Sequence, residues 1–241
     1  MVKSDRFFLA RQEAIIILTP PDNSYERKKT HYRSGTVATD YDSDRWANRS
    51  RLRSNRRKLA AIDKAIALAN EQGRPVRSAL DLPCGTGRIF PLLLSHGINM
   101  IGSDLSLEMM KVARSKFPGE KQLRGFVQCD AEHLPYATAS LDAVFSIRFF
   151  LHLPGKVRQN ALKEMARVSR CWLIVDYRHR YTFSYWSKTL LCRIGLGSQP
   201  PHRVSSEEIA EDFRIAGAEI VKIFSTSPVW SDKWVILGRK N

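Results

Sequence analysis

The segment Leu80-Asp81-Leu82-Pro83-Cys84-Gly85-Thr86-Gly87 constrains the fold more than any other part of the chain. The residues from Arg77 to Leu82 read as a strand, and those from Gly87 to His96 as a helix that Gly97 closes. A glycine-bearing loop acquires meaning when it leaves a strand and opens a helix. Gly85 and Gly87 then let the backbone turn tightly and approach a ligand, and the first N–H groups of the helix point at that ligand. In open α/β sheets, ligands bind beyond the carboxyl ends of the strands, at this kind of place.

The alternation continues along the chain. Asn99 to Ser103 reads as a strand, and Ser106 caps a helix that stops at Pro118-Gly119. Arg124 to Cys129 and Leu141 to Ile147 read as strands. Lys156 to Ser169 reads as a helix with Val157, Ala161, Leu162, Met165 and Val168 on one face, and Trp172 to Asp176 as a strand. Ser205-x-x-Glu208 is a capping box that opens a helix lined by Ile209, Phe213 and Ala216 and closed by Gly217. Ile220 to Phe224 and Trp234 to Leu237 read as strands with no helix between them. Five β-α units in series predict a mostly parallel sheet with helices on both faces, and the two last strands predict a hairpin whose final strand runs antiparallel to its neighbour. The expected class is therefore α/β, a Rossmann-like seven-stranded sheet with a C-terminal antiparallel hairpin. Upstream, Leu52, Leu59, Ile62, Ile66 and Ala69 form a helical stripe in a helix capped at Ser43 or Asp44 and running to about Asn70, where Gly73 and Pro75 end it. Residues 1–40, with the turn cluster Pro20 to Ser24, read as an N-terminal arm or lid, and 41–241 as the domain.

Glycine-rich turns also serve nicotinamide and flavin enzymes, so the surrounding residues must choose the ligand. Phe90 stands where the third glycine of a dinucleotide loop would be. Asp81 precedes the loop, where it would repel a pyrophosphate and attract an amino group. Asp104, 23 residues later, and Asp130 end the next two strands. A carboxylate at Asp104 can accept from both hydroxyls of a ribose. One at Asp130 can accept from an adenine amino group while the Ala131 N–H contacts the ring, and Asp81 can hold an ammonium. Together these acids describe an adenosyl amino acid rather than a dinucleotide.

The segments LDLPCGTGR (80–88), GSDLSLEMM (102–110), CDAEHLPY (129–136) and LDAVFSIRFFLHL (141–153) resemble the class I methyltransferases, and especially the small-molecule branch similar to ubiquinone/menaquinone methyltransferases. The resemblance spans about residues 40–240. It implies an enzyme that uses S-adenosyl-L-methionine, with cofactor contacts at Asp81, Gly85, Asp104, Leu105, Asp130, Ala131 and the backbone near Ile147. By the same resemblance Pro83, Cys84 and Gly87 complete the cofactor loop, and Tyr41-Asp42 resembles a Tyr-Asp element that often precedes the first helix and folds over the cofactor. The chain departs from the family at Pro83, where many relatives have glycine, and at Arg148 and Phe149, where residues are usually small or apolar. Those last two lie in the segment that faces the transferred methyl group.

Charge bears on the acceptor. Lys and Arg number 39 against 24 Asp and Glu, a formal +15, which attracts nucleic acid, acidic lipid headgroups or anionic small substrates. Arg45, Arg49, Arg51, Arg53, Arg56, Arg57 and Lys58 fall within one predicted helix without an acid among them. The aromatic and basic stretch Tyr177 to Leu196 suits an apolar acceptor with an anionic group. The leading expectation is methyl transfer to a small-molecule or lipid-like acceptor. The alternatives are an RNA or protein methyltransferase gripping its substrate with the 45–58 helix, and an inactive S-adenosylmethionine-binding module. Arg148 is a candidate substrate contact, and His152, Tyr177 and His179 are candidate bases. Cys84, Cys129, Cys171 and Cys192 contain no C-x-x-C pair, so the expectation is reduced cysteines and no metal site. No stretch approaches the roughly 20 apolar residues of a membrane span. The chain reads as cytoplasmic, with peripheral contact to a membrane surface left open.

Overall fold

The computed structural model describes residues 49–196, 198, 203–226 and 232–241. In chain order the elements are α1 (Arg49–Glu71), β1 (Ser78–Asp81), α2 (Phe90–Ser95), β2 (Asn99–Asp104), α3 (Leu107–Lys116), β3 (Leu123–Gln128) and β4 (Leu141–Ser146). A 3-10 turn (Phe150–His152) follows, then α4 (Gly155–Val168), β5 (Ser169–Arg178), α5 (Phe183–Arg193), α6 (Ser206–Ile215), β6 (Ala218–Ser225) and β7 (Lys233–Lys240). The seven strands form one sheet in the order β3-β2-β1-β4-β5-β7-β6. β1 to β5 pair in parallel, whereas β7 is antiparallel to both β5 and β6. The order turns back at β1 and β4, and the carboxyl ends of these two strands frame the place where such sheets bind ligands.

The mixed sheet expected from the sequence is present, with β7 rather than β6 beside β5. Val235, Ile236 and Leu237 of β7 are fully buried and so need cover on both faces. β6 carries exposed Glu219, Lys222 and Ser225, and charged residues suit an edge strand. Helices cover both faces. Alternation along β1 sends Ala79 to one face with Ile62 and Ile66 of α1 and Phe90 of α2. Leu80 goes to the other, with Leu162 and Met165 of α4 and Phe213 of α6. Burying each such large side chain contributes roughly 1.5–3 kcal/mol.

Three readings change. The series holds one β-α unit fewer than expected, because β3 leads to β4 through residues 129–140 without a helix. There α4 side chains satisfy the loop backbone: the Arg167 guanidinium donates to the carbonyls of Leu134 (2.8 Å) and Tyr136 (2.7 Å), and the Leu134 N–H donates to Glu164 (2.9 Å). α2 starts at Phe90 instead of Gly87, because Gly85 (φ +53°) and Gly87 (φ +77°) are left-handed and keep the chain in turns. α5, absent from the sequence reading, is capped by Thr182, whose hydroxyl accepts from the Tyr185 N–H. The Ser106 cap and the Ser205–Glu208 capping box form as expected. The expected cap at Ser43 or Asp44, the arm at 1–40 and Tyr41 lie outside the described residues. Among the described residues no helix is long and apolar enough to cross a membrane.

Candidate active site

The acids predicted from the sequence meet at the carboxyl edge of the sheet. Asp81 ends β1, Asp104 ends β2, and Asp130 lies two residues beyond β3. All three line one cavity, together with the loop from Leu82 to Thr86. The loop is pinned to its neighbours: the Leu82 N–H donates to the Phe145 carbonyl of β4 (2.9 Å) and the Cys84 N–H to the Ser103 carbonyl of β2 (2.7 Å). Pro83 and Cys84 lie in the wall between them.

Asp104 organises this edge. One carboxylate oxygen accepts from the Gly85 N–H (2.8 Å) and the other from the Ser106 N–H (2.9 Å), so a single side chain ties the end of β2 to the glycine loop. A carboxylate offers about four lone-pair sites, which leaves acceptor capacity on both oxygens for a diol. Burial raises its pKa, opposed by those backbone hydrogen bonds. Asp81 is only 2% exposed, and no described residue donates a hydrogen bond to its carboxyl. Burial, with the nearby Asp104 charge second, pushes its pKa well above the usual range. A cationic group beside it would oppose both effects. Asp130 accepts from the Glu132 N–H (3.1 Å), which shapes the turn that places buried Ala131 in the wall.

The two glycines differ. Gly85 lines the cavity, and a Cβ there would meet nothing within 4 Å, so its positive φ is what requires glycine. Gly87 is absent from the cavity wall. A Cβ there would lie 2.9 Å from the rings of Phe117 and Phe90, so it serves the packing behind the loop.

Leu105, directly after β2, and Ile147, Arg148, Phe149 and His152, beyond β4, complete the predicted lining. Arg148 is a non-glycine residue at φ +67°, a conformation that persists only when its surroundings hold it. Its N–H donates to Asp176, whose carboxylate also pairs with the buried ammonium of Lys58. Tyr177 does not line the cavity. It is 1% exposed, packs its ring on Phe150 at 5.1 Å, and donates its hydroxyl to Asp212 (3.2 Å) beneath α6. Burial and the Asp212 charge push its pKa up, which suits a structural hydroxyl. His179 also lies outside the cavity wall, stacked at 4.0 Å on Trp234, with the Tyr181 N–H donating to its Nδ1.

Thr86, Arg88, Met109 and Cys129 line the cavity although the sequence reading gave them no role. Met109 had a signal: the Ser106 cap places it in the first turn of α3, which faces the cavity. Arg88 is adjacent to the loop, where a charged residue beside Gly87 was a second signal. Among the described residues no group of three or more His, Cys, Asp or Glu is placed to hold a metal ion. All four cysteines are free.

Residues 80–171 match the family model described as a methyltransferase domain. Among curated relatives, methyltransferase GfsG of Streptomyces halstedii is 35% identical over 94 residues, covering 38% of this chain and 33% of the relative. The ubiquinone/menaquinone biosynthesis C-methyltransferase UbiE of Xanthomonas campestris is 36% identical over 111 residues, covering 44% of this chain and 43% of the relative. The matches thus span a third to somewhat over two fifths of these relatives' lengths. Among solved structures, the magnesium protoporphyrin IX methyltransferase of Synechocystis PCC 6803, with bound S-adenosylhomocysteine, superposes with a TM-score of 0.68 at 20% identity. That superposition covers 88% of this chain and 100% of the other. Residues 80–171 thus match a methyltransferase-domain model, and the chain shares its fold with the S-adenosylhomocysteine-bound methyltransferase of Synechocystis.

Proposed function

We propose that this chain is an enzyme that transfers a methyl group from S-adenosylmethionine to a small-molecule acceptor. The observation that carries the reading is the convergence of Asp81, Asp104 and Asp130 on one cavity around the Gly85 loop. An adenosyl amino acid presents an ammonium, a ribose diol and an adenine amino group, one for each acid. Asp81 fits the ammonium best, because it is buried in the wall and takes no hydrogen bond from a described residue. A dinucleotide would bring its pyrophosphate against that same acid.

The bound sulfonium supplies a methyl group that is already activated. The work left to the protein is placement, and proximity with orientation can account for most of the acceleration. Asp104 holds the ribose side, with Gly85 and Ser106 fixing both of its oxygens. Ile147, Arg148 and Phe149 wall the side from which the acceptor approaches. His152 is the candidate base where the acceptor must release a proton, because it lies in the cavity wall and Tyr177 and His179 do not.

The printed names of the relatives, among them the ubiquinone/menaquinone C-methyltransferase and a norajmaline N-methyltransferase, support a small-molecule acceptor. The basic balance of the chain favours an acceptor with an anionic group, lipid-like ones included. Four free cysteines suit a cytoplasmic setting. The RNA alternative draws on the exposure of Arg53, Arg56 and Arg57.

Calorimetry with S-adenosylmethionine, S-adenosylhomocysteine and NAD tests the cofactor. Both adenosyl ligands are expected to bind and NAD is not, and Asp104→Ala is expected to abolish binding. Binding of NAD alone would end the reading. A labelled-methyl assay on fractionated small-molecule, lipid and RNA pools tests the acceptor. Label in RNA that is lost when Arg53, Arg56 and Arg57 are neutralised would replace the acceptor class.

A further inference from the structure

We propose that a second cavity, beside the first, is an oxyanion subsite that holds a phosphate or carboxylate group of the methyl acceptor. The inference deepens the methyl-transfer reading and rests on it. The cavity measures about 310 Å³ and is walled by α1, the end of β5 and the start of β7. Arg88 and Arg148 line both cavities, so the two spaces share a wall. Six of the nine described residues around the second cavity are Lys or Arg, and none of these nine is acidic. Ser54 and Asn55 add neutral hydrogen-bonding groups to the wall.

Helical spacing divides the basic run of α1. Arg51, Ser54, Asn55 and Lys58 sit at i, i+3, i+4 and i+7 and turn one face to the cavity. Arg53, Arg56 and Arg57 are exposed and absent from its wall. The face that lines the cavity, with Arg51 exposed, Ser54 and Asn55 half-buried and Lys58 buried, fits a compact anion; a polynucleotide track would use Arg53, Arg56 and Arg57.

The enclosed cations act on one another. Lys58 is 6% exposed and pairs with Asp176, and Lys233 donates to the Ser54 hydroxyl. Burial lowers the pKa of both lysines, and the charges of Arg148 and Arg178 are among the further causes for each. Asp176 and Asp232 offset part of this positive charge. An oxyanion among these groups would relieve their mutual repulsion, and several of them would donate charge-assisted hydrogen bonds to it.

The position relative to the first cavity gives the subsite its role. Asp176 holds both Lys58, in the basic wall, and the Arg148 N–H, at the end of β4. An anion seated against Lys58 and Arg148 would therefore lie at the edge of the cofactor cavity, on the Ile147–Phe149 side. An acceptor anchored there by its charged group would have its other end directed at the methyl donor.

The test is titration of inorganic phosphate, and separately of acetate, into the full chain at constant ionic strength, with and without saturating S-adenosylhomocysteine. The expected result is one anion per chain, with phosphate or acetate bound more tightly according to which oxyanion the site takes. Binding should weaken at least tenfold in Arg51→Gln/Lys233→Gln, stay unchanged in Arg53→Gln/Arg56→Gln/Arg57→Gln, and persist when S-adenosylhomocysteine is bound. Both substituted positions of the first variant spare the buried Lys58–Asp176 pair, and its retained S-adenosylhomocysteine binding checks that it is folded. Three results would overturn the proposal: no anion binding, equal weakening in the solvent-face variant, or expulsion of the anion by S-adenosylhomocysteine, which would assign the cations to the carboxylate of the cofactor. If wild type binds phosphate but no adenosyl ligand, the methyl-transfer reading fails separately from the anion site.

Discussion

Replacing Gly87 with alanine is expected to cost about 2–5 kcal/mol of stability, and the figure is the sum of two effects. At φ +77° an L-residue must enter the left-handed region, which costs roughly 1–2 kcal/mol. The new Cβ would also lie 2.9 Å from the rings of Phe117 and Phe90. Those rings pack on one another at 5.4 Å, and Phe90 is fully buried, so neither moves cheaply. Overpacking of this kind costs about 1–3 kcal/mol. For a chain of this size the melting temperature should fall by roughly 2–4 °C per kcal/mol, so by roughly 4–20 °C. Gly85→Ala is the control. Its φ of +53° carries the same backbone cost, but no atom lies within 4 Å of the added Cβ. It should therefore lose only about 1–2 kcal/mol. Yet Gly85 lines the cavity and donates to Asp104, so this variant should lose most of its affinity for S-adenosylhomocysteine. Gly87→Ala should keep that affinity at temperatures where it is folded. Urea denaturation with calorimetric binding separates the two, and Phe117→Leu added to Gly87→Ala should restore part of the loss. Equal destabilisation by the two alanines, or a larger loss at Gly85, would refute the reasoning.

Four further outcomes follow from buried charge and hydrogen bonding. Lys58→Met and Asp176→Asn should each destabilise by about 3–5 kcal/mol in urea, because each strips the partner from a buried ion, and the double variant should lose less than the sum. Because the Asp81 pKa is raised, the folded protein holds a proton that the unfolded chain releases above the ordinary carboxylate range. Its stability should therefore fall as pH rises through that window, and Asp81→Asn should flatten the fall in a pH series of urea midpoints. Affinity for S-adenosylhomocysteine should rise with pH over the same window in wild type and not in Asp81→Asn, since a cation favours the ionised acid. Tyr177→Phe should cost about 1 kcal/mol through the lost bond to Asp212 and leave turnover unchanged; a large fall in kcat would return Tyr177 to the list of candidate bases.

Features of the fold that depend on local pattern were legible in the sequence. Ala143-Val144-Phe145 and Val235-Ile236-Leu237 are apolar runs without alternation, as strands covered on both faces require. The Ser106 and Ser205 caps each bond the residue three positions ahead and need nothing from elsewhere in the fold. Tyr177 lies off the cavity because β5 runs two residues past Asp176, where the sequence reading ends the strand. The strand continues to Arg178, and its period of two puts Tyr177 with Leu173 and Val175 on the α4/α6 face. The late start of α2 depends on Gly87 fitting beneath Phe117, a contact between residues 30 positions apart. α5 falls in the stretch that the sequence reading treats only as aromatic and basic, and its apolar residues Phe183, Trp186, Leu190 and Leu191 remain exposed.

The two halves of the candidate site differ in the same way. The donor side is built from strand ends, where each acid follows a short apolar run and the spacing of Asp81, Asp104 and Asp130 is set by the β-α repeat. That geometry is periodic, so a reader of the sequence can find it. The basic cavity draws on α1, β5 and β7, and its central ion pair joins residues 118 positions apart. Nothing in the run from Arg45 to Lys58 says which of its cations face inward until the packing of α1 fixes the helix rotation through Ile62, Ile66 and Ala69. Once that stripe is buried, the helical period carries Lys58 inward and leaves Arg53, Arg56 and Arg57 in solvent. With the basic cavity proposed as the subsite of the acceptor, specificity for the acceptor would depend on the tertiary placement of α1. A substitution that loosens the packing of this helix without lining either cavity, such as Ile66→Ala, should shift acceptor KM more than cofactor affinity, because β1, β2 and the Gly85 loop keep the donor side in place. An equal loss of both would mean that the two cavities are one mechanical unit, with Asp176 as the part they share.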